Sequence, residues 1–328
     1  MLLNKKNIRW GIIGCGDVTE LKSGPAYQKT VGFELIAVMR RSPGMAKDYA
    51  KRHGVEKYYT DADALINDPD VDAVYIATPP DTHKLFGLKV AAVRKPCCIE
   101  KPLSTNHIDS LTIYNAFNAT KTPLFVSYYR RTLPRFLKVK SWIDEGKVGT
   151  IRHIQWQLCK VASEQDLSGE YNWRTDSRVA PGGYFDDLAS HGLDLFCSFF
   201  GDISEAAGVS LNQQKLYTAK DAVTGYWLHD NNITGMGNWN FGSSESEDKV
   251  TIYGSLGTIQ FSVFDEQPIQ LKSDKVEETL NILHPENVQL HHIEQMRDQL
   301  LNPFKTHPSS GQTGSHTNWV MDKILGVI

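Results

Sequence analysis

Three groups of residues have types and spacings that could do chemistry. Lys101 stands in Glu100-Lys101-Pro102, directly after the apolar run Cys97-Cys98-Ile99. Open α/β sheets bind ligands at the carboxyl ends of their strands, and an ammonium there can stabilise negative charge on a reacting oxygen. The alternative is an ordinary surface lysine following a strand. Asp187 and His191 are four residues apart, with Asp194 three further on, after the break Gly182-Gly183. On a helix that spacing places both side chains on one face. A carboxylate one turn from an imidazole can orient it and stabilise its protonated form, as general acid/base work near neutral pH requires. Taken in isolation a surface helix pair is the commoner explanation. A pair of metal ligands is a third, but no third ligand at a recognisable spacing follows.

The remaining group is Gly14-Cys15-Gly16, followed by Asp17 and Val18, at the end of the first apolar run. A G-x-G after the first strand of a βαβ unit permits a tight turn, and its backbone amides can approach a pyrophosphate at a helix terminus. Thr19 stands where the third glycine of the dinucleotide fingerprint would be. The second strand ends in Met39-Arg40-Arg41-Ser42 rather than in a carboxylate. A carboxylate there would bind the ribose 2′-hydroxyl of NAD, whereas guanidinium and hydroxyl groups pair with a 2′-phosphate. The residues therefore point to NADP(H) in preference to NAD(H), with an exposed basic turn as the alternative.

These groups need rigid elements to hold them. Ile8–Ile13, Phe33–Met39, Lys57–Tyr59, Ala73–Ala77 and Cys97–Ile99 read as strands, unbroken by polar alternation as in a sheet buried on both faces, and the first domain ends after Leu124–Val126. Helical stretches over Gly44–His53, Ala62–Ile66 and Thr82–Val93 alternate with them, giving a parallel sheet with crossover helices. Beyond that the texture changes. After an amphipathic helix at Arg135–Glu145, six segments between Ile151 and Val263 alternate polar and apolar residues and predict an antiparallel sheet. The fold class expected is α/β, with a dinucleotide-binding domain over residues 1–126 and a second α/β domain over 127–328. Trp156, Trp227 and Trp239 would pack under helices or at a subunit interface.

The chain's 328 residues suit two domains, and 41% apolar with 22% charged residues describes an ordinary globular protein. A formal net charge of −3 gives no general attraction to nucleic acid or anionic membranes. No apolar stretch reaches the ~18–20 residues of a membrane span, and no secretion signal is seen after Met1. Five cysteines without C-x-x-C spacing fit buried reduced thiols, so a cytoplasmic location is expected.

Taken together, these residues resemble the glucose–fructose oxidoreductase/inositol dehydrogenase (Gfo/Idh/MocA) family. The ordered set is Gly11-Ile-Ile-Gly14-Cys-Gly16, Ala77-Thr78-Pro79-Pro80 with His83, Glu100-Lys101-Pro102, and Tyr128-Tyr129-Arg130-Arg131. It continues with Asn172-Trp173-Arg174, Gly182-Gly183 through Asp187 and His191, and His307-Pro308-Ser309-Ser310-Gly311. The resemblance implies a Rossmann domain followed by a domain with a large, open, mostly antiparallel sheet that often forms the subunit interface. A homodimer or homotetramer through that sheet is expected. It implies Lys101, His191 and Asp187 as catalytic residues, with no metal. Thr78, Pro79, His83 and Glu100 would join Gly14, Gly16, Asp17, Val18, Arg40, Arg41, Ser42 and Lys101 around the cofactor. Tyr129, Arg131, Trp173 and Arg174 would line the substrate pocket with Asp187 and His191. Arg131 and Arg174 could instead form structural ion pairs.

The activity so implied is hydride transfer between nicotinamide and a carbonyl or hydroxyl of a sugar, keto-sugar or cyclic polyol. The family also contains glycosidases that show no net redox and non-catalytic sensors. Retention of Lys101, Asp187 and His191 together speaks against a sensor.

Overall fold

The computed structural model describes residues 6–328. They form two compact units, one of residues 6–129 with 285–315 and the other of residues 130–284 with 316–328. The sequence assigned all of 127–328 to the second domain. Residues 285–315 instead pack with the first.

In the first unit Ile8–Ile13 (β1), Phe33–Met39 (β2), Lys57–Tyr59 (β3), Ala73–Ile76 (β4), Cys97–Ile99 (β5) and Leu124–Val126 (β6) pair in parallel in the order β3-β2-β1-β4-β5-β6. This is the doubly wound dinucleotide-binding order. Successive side chains alternate between two cores, as a sheet covered on both faces requires. Val74, Ile76, Cys97, Ile99 and Val126 enter one; Trp10, Tyr75, Cys98 and Phe125 enter the other. The helix Leu290–Leu301 completes the second core with Ile293, Met296 and Leu300, an i, i+3, i+7 stripe.

In the second unit the strands are Ile151–Cys159 (β7), Ile203–Leu211 (β8), Ala222–His229 (β9), Thr234–Asn240 (β10), Glu247–Gly254 (β11), Gly257–Phe261 (β12), Ile269–Ser273 (β13) and Glu277–Leu280 (β14). They lie in the order β14-β13-β12-β11-β7-β10-β9-β8, with β7 and β10 parallel and the other pairs antiparallel. Trp156, Trp227 and Trp239 are buried on one face, where Phe196 of the helix Ser190–Phe200 packs against Trp156 and Trp227. They are core residues. The opposite face carries exposed Val209, Tyr226, Met236 and Tyr253. Among the described residues no helix is long and apolar enough to cross a membrane.

Candidate active site

The glycine-rich turn is built for close approach. Gly14 has φ +93°, and a Cβ there would sit 2.9 Å from the Thr78 amide nitrogen. A Cβ at Gly16 would meet open space apart from the Gly14 carbonyl at 4.0 Å, so backbone here can be reached by a ligand. Gly16 caps a short helix, Asp17–Leu21, whose first amides have no intrahelical acceptor. Asp17 is exposed and Val18 half-buried. The turn thus fits the pyrophosphate of a dinucleotide.

Thr19 is fully buried, its hydroxyl donating to the Gly16 carbonyl at 2.8 Å. The close-packing role of a third glycine falls instead to Gly24, where a Cβ would clash with the Thr19 carbonyl and lie 2.6 Å from Tyr49 Oη. Gly24 opens a second short helix, Gly24–Lys29.

Arg40 follows β2 and donates from Nη1 to the Cys15 carbonyl at 3.2 Å, so its guanidinium lies against the glycine turn. Arg41 and Ser42 are exposed. Ser42 is the N-cap of the helix Pro43–His53 but makes no capping bond, leaving its hydroxyl uncommitted to the helix.

Lys101 follows β5 and is joined to Pro102 by a cis peptide bond. The strand end is braced from below. Glu100, 8% exposed, accepts from Tyr75 Oη, from Gln289 Nε2 at 2.9 Å and from the Lys101 amide at 3.2 Å. His83 is fully buried, with Nδ1 3.0 Å from the Pro102 carbonyl and Nε2 2.8 Å from the Thr78 carbonyl. Both residues were expected to touch the cofactor. The structure places them differently, with their polar atoms engaged within the protein, where they hold the Thr78-Pro79 and Lys101-Pro102 loops. Thr78 and Pro79 remain partly accessible. Gln289 and Tyr75 were missed, and a contact 189 residues apart leaves no local signal.

In the second unit Asp187 lies in a π-helical turn, Phe185–Ala189, that leads into the helix Ser190–Phe200 carrying His191. The sequence placed Asp187, His191 and Asp194 along one α-helical stripe; the wider turn breaks that register. Asp187 Oδ2 accepts from Arg174 Nε at 2.8 Å, and the Arg174 guanidinium lies 4.3 Å from the Trp173 ring. The turn Asn172–Thr175 thereby brings Trp173 and Arg174 to Asp187.

Asp194 is buried and takes two bonds from Arg131, Nε at 2.7 Å and Nη2 at 2.8 Å. Arg131 is 7% exposed. Its fork is committed to this buried pair, which corrects the expectation that it faces substrate. Tyr129, in the first unit, is 8% exposed.

His191 is 4% exposed and packs edge-on against Phe264, ring centroids 5.8 Å apart. The Arg130 guanidinium lies 4.4 Å from the Phe264 ring. Asp248 accepts from the Phe264 amide at 2.6 Å and from Trp156 Nε1 at 3.0 Å. Trp156 in turn fills the space over Gly192, so β7 and β11 fix the helix that presents His191. The neighbouring carboxyl of Asp186 is pushed up to about 7 by burial, despite a bond from the Gly182 amide at 2.8 Å.

A dinucleotide-binding sheet, a lysine braced at a strand end, and an acid–imidazole segment on a second sheet domain define the class: a nicotinamide-dependent oxidoreductase. Residues 8–128 match the family described as oxidoreductase family, NAD-binding Rossmann fold, and residues 136–260 match the GFO/IDH/MocA C-terminal domain. The chain belongs to the GFO/IDH/MocA family. It is 35% identical over 323 residues to oxidoreductase P35 of Formosa agariphila, covering 98% of this chain and 99% of that one. It is 34% identical over 145 residues to inositol 2-dehydrogenase of Acidothermus cellulolyticus, covering 44% and 42%. Levoglucosan dehydrogenase in complex with NADH has the same fold, with TM-score 0.86, 20% identity, and 97% and 96% of the two chains covered.

Proposed function

We propose that this protein is an NADP(H)-dependent oxidoreductase that moves hydride between the nicotinamide and a CH–OH or carbonyl carbon of a sugar, keto-sugar or cyclic polyol. The observation that carries the reading is the placement of the Gly14–Gly16 turn and Lys101 at the carboxyl ends of β1 and β5 in one parallel sheet. That is the edge where such sheets bind ligands. The bound nicotinamide would supply the hydride chemistry. Gly14, Gly16, Asp17 and Val18 would hold the pyrophosphate, and Thr78 and Pro79 the adjoining part of the cofactor.

Lys101 would donate to the reacting oxygen and stabilise the charge that develops there. His191 would exchange the hydroxyl proton. Asp187, clamped by Arg174, would hold a neighbouring sugar hydroxyl, with Trp173 and Tyr129 as pocket walls. The preference for NADP(H) is supported by Arg40 against the glycine turn and by the Ser42 hydroxyl at the start of the helix Pro43–His53. The sugar or polyol class is supported by relatives named inositol 2-dehydrogenase and levoglucosan dehydrogenase. Assembly through the second sheet is supported by exposed Val209, Tyr226, Met236 and Tyr253 on one face.

The test is turnover of a panel of aldoses, keto-sugars and cyclitols with NADP(H) and NAD(H), followed at the reduced-nicotinamide absorbance band. Turnover with one substrate class and a lower KM for the 2′-phosphorylated cofactor is expected. Tight NADPH binding with no turnover of any compound would overturn the assignment, and cofactor that copurifies and is never consumed would point to a glycosidase.

A further inference from the structure

Arg174 grips Asp187, and Tyr184 ties together the two segments that carry them. The break at Gly182-Gly183 sets Tyr184 in place. Gly183 has φ +64°, and a Cβ there would strike the Lys220 carbonyl, so the chain turns into Tyr184 on a glycine. Tyr184 directly precedes the π-helical turn Phe185–Ala189 that holds Asp187. Its half-buried ring packs against Phe241, centroids 5.4 Å apart, and lies edge-on to Tyr217 at 6.3 Å.

The Tyr184 hydroxyl makes two bonds. It donates to Asp166 Oδ1 at 2.8 Å and accepts from Asn172 Nδ2 at 3.1 Å. Asp166 is a fixed partner: it is buried, and its other oxygen accepts from the Ser163 amide at 3.1 Å and hydroxyl at 2.7 Å in a capping box. Burial, with the Asp166 carboxylate beside it, pushes the Tyr184 hydroxyl up to about 12, so it remains a donor at neutral pH. Asn172 passes the restraint on. Its Oδ1 accepts from the Arg174 amide at 3.1 Å, and Arg174 Nε donates to Asp187 Oδ2 at 2.8 Å.

The two turns are therefore joined twice, through Tyr184 with Asn172 and through Asp187 with Arg174. The second joint is the softer one. The Arg174 side chain is 41% exposed, and ion pairs at such positions hold geometry weakly by themselves.

We propose that Tyr184 is a positioning residue for substrate binding: bonded to Asp166 and Asn172, it fixes the Asn172–Thr175 turn and so the Arg174 that aims Asp187 at a substrate hydroxyl. The inference rests on the sugar-oxidoreductase reading above and adds a residue to it.

Tyr184→Phe keeps the ring and removes only the hydroxyl. With the sugar or polyol that the wild type turns over best, its KM should rise about tenfold, while kcat stays within about threefold and NADPH affinity is unchanged. In an Asp187→Asn background the same change should alter kcat/KM by less than about twofold, because the group it aims has lost its charge. Asn172→Ser can still cap the Arg174 amide but is too short to reach Tyr184. It should reproduce the KM effect, and it covers the case in which Tyr184→Phe fails to fold. Amide hydrogen exchange, read by mass spectrometry on the NADPH-loaded protein, should quicken in residues 172–175 and 185–189 of Tyr184→Phe and not in the parallel sheet. An unchanged KM, an equal loss in the Asp187→Asn background, or a joint fall of kcat and NADPH affinity would overturn the proposal. Absence of turnover with every sugar and polyol would instead sink the oxidoreductase reading. Exchange then judges the tie between the two turns separately, and unchanged rates in both segments would overturn it.

Discussion

Gly192 follows His191, and a single added methyl there tests how the imidazole is held. A Cβ at Gly192 would lie 2.5 Å from Cη2 and 2.9 Å from Cε3 of Trp156. Ordinary contact begins near 3.4 Å, so helix or indole must yield by at least 0.9 Å (3.4 − 2.5). Trp156 has little freedom to move. It is 1% exposed, donates to Asp248, and packs edge-on against Phe196 and Trp239. Overpacking of this kind costs about 1–3 kcal/mol. It outweighs the ~1 kcal/mol by which alanine is the better helix former. Gly192→Ala should therefore lower Tm by several degrees, at roughly 2–4 °C per kcal/mol. A 1 Å displacement of a catalytic group can cost about 10²-fold, so kcat/KM should fall by that order. Scanning calorimetry and steady-state kinetics read the two effects. Trp156→Leu in the same chain should recover part of both, with a coupling of at least about 1 kcal/mol in the double-mutant cycle. Wild-type Tm and kcat/KM in Gly192→Ala would refute the reasoning.

Lys101→Ala should reduce kcat by about 10²–10³-fold while leaving NADPH affinity, measured by fluorescence titration, within a few-fold; unchanged turnover would remove Lys101 from the chemistry. Arg40→Asp loses charge-assisted bonds worth about 1.5–3 kcal/mol and adds repulsion, so KM for NADPH should rise about 100-fold with little change for NADH. An unchanged cofactor preference would mean that the 2′-phosphate is read elsewhere. Asp186 has a folded-state pKa raised to about 7, against ~3.9 unfolded. Its contribution to stability is present below pH ~4 and is lost as pH rises to 7, at about 1.4 kcal/mol per unit and up to about 4 kcal/mol in all. Asp186→Asn should accordingly raise Tm at pH 8 relative to the wild type and do little at pH 4, and a gain equal at both values would contradict the assignment.

The parallel sheet was legible because its strands are short apolar runs, and four of the five strand ranges read from sequence coincide with the structure while the fifth differs by one residue at Ala77; Leu124–Val126 was read only as the end of the first domain. β13 carried a usable signal in the alternation of Ile269-Gln-Leu-Lys-Ser, whereas β14 is four largely accessible residues with little to mark it. The helix Leu290–Leu301 carried its apolar stripe in plain view, but nothing in the stripe says which sheet it covers. The place of Lys101 at the carboxyl end of a parallel strand was legible from the apolar run before it. The brace beneath it was not, since Gln289 reaches Glu100 from a distant segment. Asp187, His191 and Asp194 were grouped by α-helical spacing. The π-helical turn and the buried Arg131 partner divide them, and neither leaves a periodic trace.

The central claim is hydride transfer between a sugar carbon and a nicotinamide. Its most direct measurement uses a sugar substrate from the panel, deuterated at each CH–OH carbon in turn, with NADP⁺ and the cofactor recovered for mass spectrometry and NMR. One labelled position should deliver deuterium to C4 of the nicotinamide ring, on one face only and in proportion to oxidised sugar. Oxidised sugar with unlabelled cofactor from every position would contradict the account.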